Sequence, residues 1–251
     1  MSIPYADRFQ QTASVAHYEA EEYGAESYSS CLWRLQRPVL EQVVKDFRAA
    51  QSGPVRLLDF ACGTGRVLSA LEPLVDTADG VDISENMVAA ARTKCTKARL
   101  LVGDVLTQTD LLQPSYDLIS CFRFVLNAEP ELRERVLRRL RQVLRAPGGL
   151  LLVNVHGNAR SLRHPAIVWR RWRQRGAPGE AMLNEMSPAE TKRLLAATGF
   201  EVLRQFGFGI LPPTLYRTPL RRAALAVDRA LAGENSWSAA SVDVLFVCRP
   251  I

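Results

Sequence analysis

Short apolar runs that end on an acid or a small residue alternate along this chain with segments whose apolar positions recur at helical spacing. Val55, Leu57, Leu58 and Phe60 make a run suited to a strand buried on both faces. From about Thr64 the period becomes helical, with Val67, Leu68 and Leu71 on one side and Pro73 as the stop. The same alternation continues with strands at Thr77–Ile83, Arg99–Val102, Tyr116–Cys121 and Leu150–Val155. Between them lie a helix capped by Ser84 and a strong helix from Glu129 to Arg145, whose stripe is Leu132, Val136, Leu137, Leu140, Val143 and Leu144. The arginines on its other side, Arg133, Arg135, Arg138, Arg139 and Arg141, read as a solvated face. Upstream, Leu32, Leu35, Val39, Leu40, Val43, Val44 and Phe47 predict an amphipathic helix over about 31–50.

Downstream, S187-P188-A189-E190 has the spacing of a capping box, so a helix should run from there to Gly199. A sixth strand follows over Phe200–Phe206, a helix over Arg217–Ala232, and a last strand over Ser241–Cys248. The strand and helix alternation over 55–155 predicts right-handed crossovers and one parallel sheet.

With 251 residues the chain can bury a large core in one or two domains. The start, M-S-I-P-Y-A-D-R-F-Q-Q, has neither a basic nor an apolar leader segment, and no run approaches the length of a membrane span, so the expected location is the cytoplasm. Five dispersed cysteines without C-x-x-C or paired histidines point to reduced thiols, with no metal site expected. The net charge of +6 is almost all arginine, lysine occurring only at 45, 94, 97 and 192, and it does not specify a partner.

The stretch V-R-L-L-D-F-A-C-G-T-G-R at Val55–Arg66 joins a strand to a glycine turn and a helix start, which is the anatomy of a cofactor site at the carboxyl edge of an open α/β sheet. Gly63 and Gly65 supply the turn and allow close approach of a ligand. A dinucleotide fingerprint would need a third glycine where Leu68 stands, and Asp59 would repel a pyrophosphate but attract an ammonium group.

The run D59-F60-A61-C62-G63-T64-G65 resembles the first motif of the class I S-adenosylmethionine-dependent methyltransferases, with Ala61 where many members have glycine. The resemblance covers about 55–250. It implies a seven-stranded Rossmann-like methyltransferase fold, α/β, with a mostly parallel sheet and an antiparallel last strand. It also implies S-adenosyl-L-methionine as cofactor. Gly63 and Gly65 would admit the methionine moiety, Asp59 would support it, and Asp82, ending the second strand, would hold the ribose hydroxyls. Ile83 would lie on the adenine face with Met87 nearby, and Asp104 and Val105 would meet the adenine edge. Phe122, at the end of the fourth strand, would border the transferable methyl.

His156, at the end of the fifth strand, is the candidate general base, the alternative being a histidine that only bonds the strand end or positions substrate. Tyr18, Tyr28, Arg123, Asn127 and Arg163 are the residues expected to meet the acceptor. Residues 1–54 should form an N-terminal cap and leading helix on a domain spanning 55–251, with insertions at about 157–186 and 207–240. The first insertion is rich in Arg and Trp, including Trp169, Arg170 and Trp172. It reads as a plain solvated insertion, a lid for an anionic or aromatic substrate, or a surface for membrane or RNA. The second should cover the substrate side or form a homodimer surface.

The signatures for base or glutamine amino methylation and for pyrimidine C5 chemistry are absent, Cys121 being followed by Phe122. That argues against two nucleic-acid subclasses. Because the added residues form caps around the site and no separate nucleic-acid module is visible, the expected acceptor is a small or medium-sized metabolite methylated on O or N. The arginines point to an anionic natural-product or saccharide intermediate, with nucleic acid disfavoured. An RNA- or ribosome-directed methyltransferase and a noncatalytic S-adenosylmethionine-binding partner are the rival readings.

Overall fold

The computed structural model describes residues 27–112, 115–165 and 185–251. Tyr18 and the segment holding Trp169, Arg170 and Trp172 lie outside the described residues.

Among the described residues the first helix is capped by Ser27, its hydroxyl accepting from the Ser30 amide at 3.0 Å, and this α1 runs Tyr28–Ala49. Then come β1 Arg56–Phe60, α2 Arg66–Leu71, β2 Thr77–Asp82, α3 Glu85–Arg92, β3 Arg99–Val102, β4 Leu118–Cys121, α4 Pro130–Val143 and β5 Leu150–Val155. The rest is α5 Pro188–Ala197, β6 Phe200–Phe208, α6 Arg221–Leu231 and β7 Asp243–Pro250. The strands form one seven-stranded sheet in the order β3-β2-β1-β4-β5-β7-β6. The first five are parallel, and β7 inserts antiparallel between β5 and β6. Chain order reverses between β1 and β4, so a crevice opens at their carboxyl ends, where open sheets of this kind bind ligands.

Strand parity divides the core. Leu58, Phe60, Ile119, Cys121, Leu151, Val153 and Phe246 face one layer together with Val136, Leu137 and Leu140 of α4. Leu57, Leu118, Leu152, Leu245 and Val247 face the other, which is covered by Leu32, Leu35, Leu40, Val43 and Val44 of α1 and by Val67 and Leu68 of α2. The leading helix therefore shares a core with the sheet.

Four local features differ from, or sharpen, the sequence expectation. The capping box at Ser187 and Glu190 forms in both directions. The helix expected from Arg217 starts instead at Arg221, because Pro219 holds Thr218 extended (φ −113°, ψ 168°) and separates α6 from a 3₁₀ turn at Pro213–Arg217. The last strand begins at Asp243, not Ser241, since the loop before it is taken up by Asn158. That side chain donates to the Ala239 and Ser241 carbonyls, both at 2.8 Å.

Arg133 is not on a solvated face. It is buried, and its guanidinium donates to the Ala128 carbonyl at 2.9 Å and to Met186 Sδ at 3.0 Å, tying α4 to the chain just before α5. Among the described residues no helix is long and apolar enough to cross a membrane, and no group of three His, Cys, Asp or Glu side chains is placed to hold a metal ion.

Candidate active site

The turn after β1 is built from left-handed backbone: Ala61 (φ 54°), Gly63 (φ 53°) and Gly65 (φ 77°). Glycine takes this conformation freely, whereas at Ala61 the Cβ adds strain on the order of 1 kcal/mol. The two glycines serve different ends. A Cβ on Gly63 would meet nothing within 4 Å, so its surface is open to a ligand. A Cβ on Gly65 would come within 2.8 Å of Cys95 Sγ and 3.0 Å of Ala91 Cβ, so this glycine lets the turn pack against α3.

Asp82, at the end of β2, holds that turn in place. Its Oδ2 accepts from the Gly63 amide at 2.8 Å and its Oδ1 from the Ser84 amide at 2.9 Å. Burial raises its pKa, and the backbone donors at Ser84, Gly63 and Ile83 oppose that rise. Each carboxylate oxygen can accept more than one hydrogen bond, so both retain capacity for a further donor.

Two cavities open on either side of Ala61. The smaller, about 100 Å³, is lined by Phe60, Ala61, Val81, Asp82, Ile83, Gly103, Asp104, Val105, Phe124, Leu132 and Val136. It is an apolar slot with acids at its rim. Asp104 holds its own loop, Oδ1 accepting from the Leu106 amide at 2.9 Å. The larger, about 340 Å³, extends from Asp59 and the Ala61–Thr64 turn past Phe122 and Arg123 to Tyr28, Gln36, Asn154, His156, Arg163 and Asp243.

Buried polar atoms without a hydrogen-bond partner among the described residues collect on the larger cavity, including Asp59 Oδ2, His156 Nδ1 and Arg163 Nη1. A native fold leaves few such atoms, and a ligand is one way to satisfy them. Asp59 is 2% exposed. Its Oδ1 accepts from the Ser120 hydroxyl at 2.6 Å, and burial raises its pKa to about 7. Burial, followed by the field of Arg123, lowers that of His156 to about 3, so the ring is neutral at neutral pH and a weak proton acceptor. Arg163 stacks 4.8 Å from the centroid of the Tyr28 ring, and that ring meets Tyr216 edge to face at 5.1 Å.

Of the residues expected from the sequence, Asp59, Ala61, Gly63, Phe122, Tyr28, Arg123, His156 and Arg163 line the larger cavity, and Asp82, Ile83, Asp104 and Val105 the smaller. Gly65, Met87 and Asn127 line neither. Met87 is buried under the Ser84 cap, and Asn127 donates its amide to the Arg123 carbonyl. Arg123 itself has a left-handed backbone (φ 55°), a strained conformation for a residue with a side chain. Gln36, Asn154 and Asp243 line the cavity without having been expected. The legible signal was a polar residue inside a buried apolar run, as in L-L-L-V-N-V and V-D-V-L-F-V.

The model of a protein family described as a methyltransferase domain matches residues 32–205. The chain belongs to this family. The match agrees with the resemblance carried by the first motif and includes most of α1, which packs against the sheet. A protein of Geobacillus sp. (strain WCH70) named as a methyltransferase is 32% identical over 111 residues, 42% of this chain and 44% of that protein. The aligned part thus spans less than half of that relative. Among solved structures, magnesium protoporphyrin IX methyltransferase from Synechocystis PCC 6803 with bound SAH superposes with a TM-score of 0.64 at 16% identity, over 97% of each chain. A SAM-dependent methyltransferase of Methanosarcina mazei gives 0.57 at 16% identity, over 82% of this chain and 97% of that one. The [4+2]-cyclase SpnF gives 0.52 at 21%, over 84% and 80%. At these identities the likeness establishes the fold.

Proposed function

We propose that the chain binds S-adenosylmethionine across the two cavities and transfers its methyl group to an oxygen or nitrogen of a small or medium-sized acceptor. The observation that carries this reading is that an apolar slot and a polar cavity meet at Ala61, with Asp82 at one wall and the partnerless Asp59 oxygen at the other. An adenine suits the slot between Ile83, Val105 and Phe124, and ribose hydroxyls suit the Asp82 carboxylate. An ammonium group suits Asp59 Oδ2 beside the open face of Gly63.

When bound, the sulfonium supplies an electrophilic methyl carbon. The chain's part is to align an acceptor behind that carbon, keep bulk water out and take up a proton where one is released. The far half of the larger cavity, walled by α1 and the 156–163 segment, is the acceptor's place in this reading. Its arginines favour an acceptor with a carboxylate or phosphate. Arg163 has a nitrogen available for a charge-assisted hydrogen bond and is held over Tyr28.

The test is transfer of labelled methyl from S-adenosylmethionine to a panel of hydroxybenzoic and aminobenzoic acids and to phosphorylated sugars. Arg163→Ala is expected to raise the acceptor KM by about 10- to 100-fold with kcat and cofactor affinity little changed, as loss of one charged hydrogen bond implies. An unchanged KM removes Arg163 from acceptor recognition. Label appearing only in added RNA supports the RNA-directed alternative.

A further inference from the structure

The α1-covered face of the sheet is apolar along Leu57, Leu118, Leu152 and Leu245, yet at its carboxyl edge it carries Asn154 and Asp243, 2% and 6% exposed. In the β5–β7 register Asn154 is opposite Leu245, so Asp243 is its diagonal neighbour on the same face. The Asn154 amide donates to Asp243 Oδ1, and Gln36 of α1 lines the larger cavity near enough to lower the pKa of that carboxylate. Apolar residues would fill this layer at less cost, since a polar group taken from water weakens the fold unless it is bonded. The three side chains come from three elements distant in sequence, and all three line the larger cavity.

We infer that Asp243, positioned by Asn154, takes the proton that the acceptor gives up during methyl transfer. The inference rests on the methyltransferase reading above. In the step, a lone pair on the acceptor's O–H or N–H atom forms the bond to the methyl carbon while the carbon–sulfur bond breaks. That bond's electron pair stays on sulfur, turning the sulfonium into a neutral sulfide. The proton passes to the Asp243 carboxylate and is later returned to water.

Burial raises the carboxyl of Asp243 to about 6, opposed first by Arg123 and then by Asn154, Gln36 and Arg66. At neutral pH it is still ionised, and it is a stronger base than an ordinary aspartate. His156, at about 3, is the weaker proton acceptor of the two. The titratable and charged groups that face Asp243 are Arg123, Arg66 and Tyr28, and His156 shares the cavity wall with it.

The experiment compares wild type, Asp243→Asn, Asp243→Glu and Asn154→Ala in the labelled-methyl assay with the hydroxybenzoic and aminobenzoic acid panel, from pH 5 to 9. Calorimetry with S-adenosylhomocysteine and thermal melting run alongside. The expected result is that Asp243→Asn melts cooperatively and binds S-adenosylhomocysteine within about threefold of wild type but loses about 10²–10⁴-fold in kcat. Wild-type kcat should rise through pH about 6 and level off, the asparagine variant should lack that rise, and Asp243→Glu should recover part of the rate.

Asn154→Ala should move the rise to higher pH, because the amide stabilises the charged carboxylate, an effect that a purely structural asparagine would not have. An asparagine variant that keeps both the rate within about tenfold and the rise overturns the assignment. So does a wild type that binds S-adenosylhomocysteine yet methylates no panel member. A wild type that does not bind S-adenosylhomocysteine overturns the underlying reading, whatever the variants do.

Discussion

Asp82→Ala is expected to weaken S-adenosylhomocysteine binding by at least about a hundredfold. Two charge-assisted hydrogen bonds from ribose hydroxyls contribute about 1.5–3 kcal/mol each, and every 1.4 kcal/mol is about a factor of ten in affinity. The substitution also frees the Gly63 and Ser84 amides, which Asp82 holds at 2.8 and 2.9 Å, so the glycine turn loses its brace as the ribose loses its acceptor. Asp82→Asn separates the two effects: it retains an oxygen for one amide but turns the other position into a donor. It should bind less well than wild type and melt closer to it than alanine does. Calorimetry and thermal melting on the three proteins check this, and an alanine variant that binds within about threefold of wild type would falsify the role of Asp82.

Asp59→Asn should show the opposite pairing of effects, a more stable apo protein that binds ligand poorly. The carboxyl of Asp59 has a folded pKa of about 7, raised by burial with the Ser120 hydrogen bond opposing, against an ordinary value of 3.8. A carboxyl whose pKa rises on folding favours the fold most at low pH, and that contribution is lost as pH rises from about 4 through about 7. At pH 8 the apo protein must hold a buried charge with one oxygen unpartnered.

Asparagine removes that charge while its carbonyl still accepts from Ser120, so the melting temperature should rise at pH 8 and change little at pH 5. Binding of an ammonium group favours the ionised carboxylate. Wild-type affinity should therefore fall about tenfold for each pH unit below about 7, with proton release on binding at pH 6. Calorimetry at pH 6 in buffers of different ionisation enthalpy reads that release directly. Equal melting temperatures at pH 8 together with pH-independent binding from 5 to 8 would remove Asp59 from the site.

The parts of this site that could be read from the sequence are those in which a single stretch carries the whole message. The run from Val55 to Arg66 contains a strand, a turn and a helix start in order, Asp82 ends its own strand, and Asp104 lies two residues past the end of its own. The capping box at Ser187 is equally local. What could not be read depends on partners set by topology. Asn154 and Asp243 meet because β7 enters antiparallel between β5 and β6, and no single stretch specifies that register.

Arg133 reads as solvated by its spacing on α4, yet it finds Ala128 and Met186 because the chain before α5 closes over it. Gly65 looks like a ligand-contacting glycine until Cys95 and Ala91 are seen beneath it. Ala61 shows the converse. Its departure from glycine reads as mild, and in the structure it carries the turn's left-handed strain at the junction of the two cavities.

The central claim is that the glycine turn and Asp82 together hold an S-adenosyl ligand, and a crystal structure of the chain grown with S-adenosylhomocysteine tests it most directly. The account predicts adenine in the slot between Ile83 and Phe124, both ribose hydroxyls on the Asp82 carboxylate, and the amino group on Asp59 Oδ2 beside Gly63. A ligand bound elsewhere, or a refined structure at saturating S-adenosylhomocysteine with both cavities filled only by water, would contradict it.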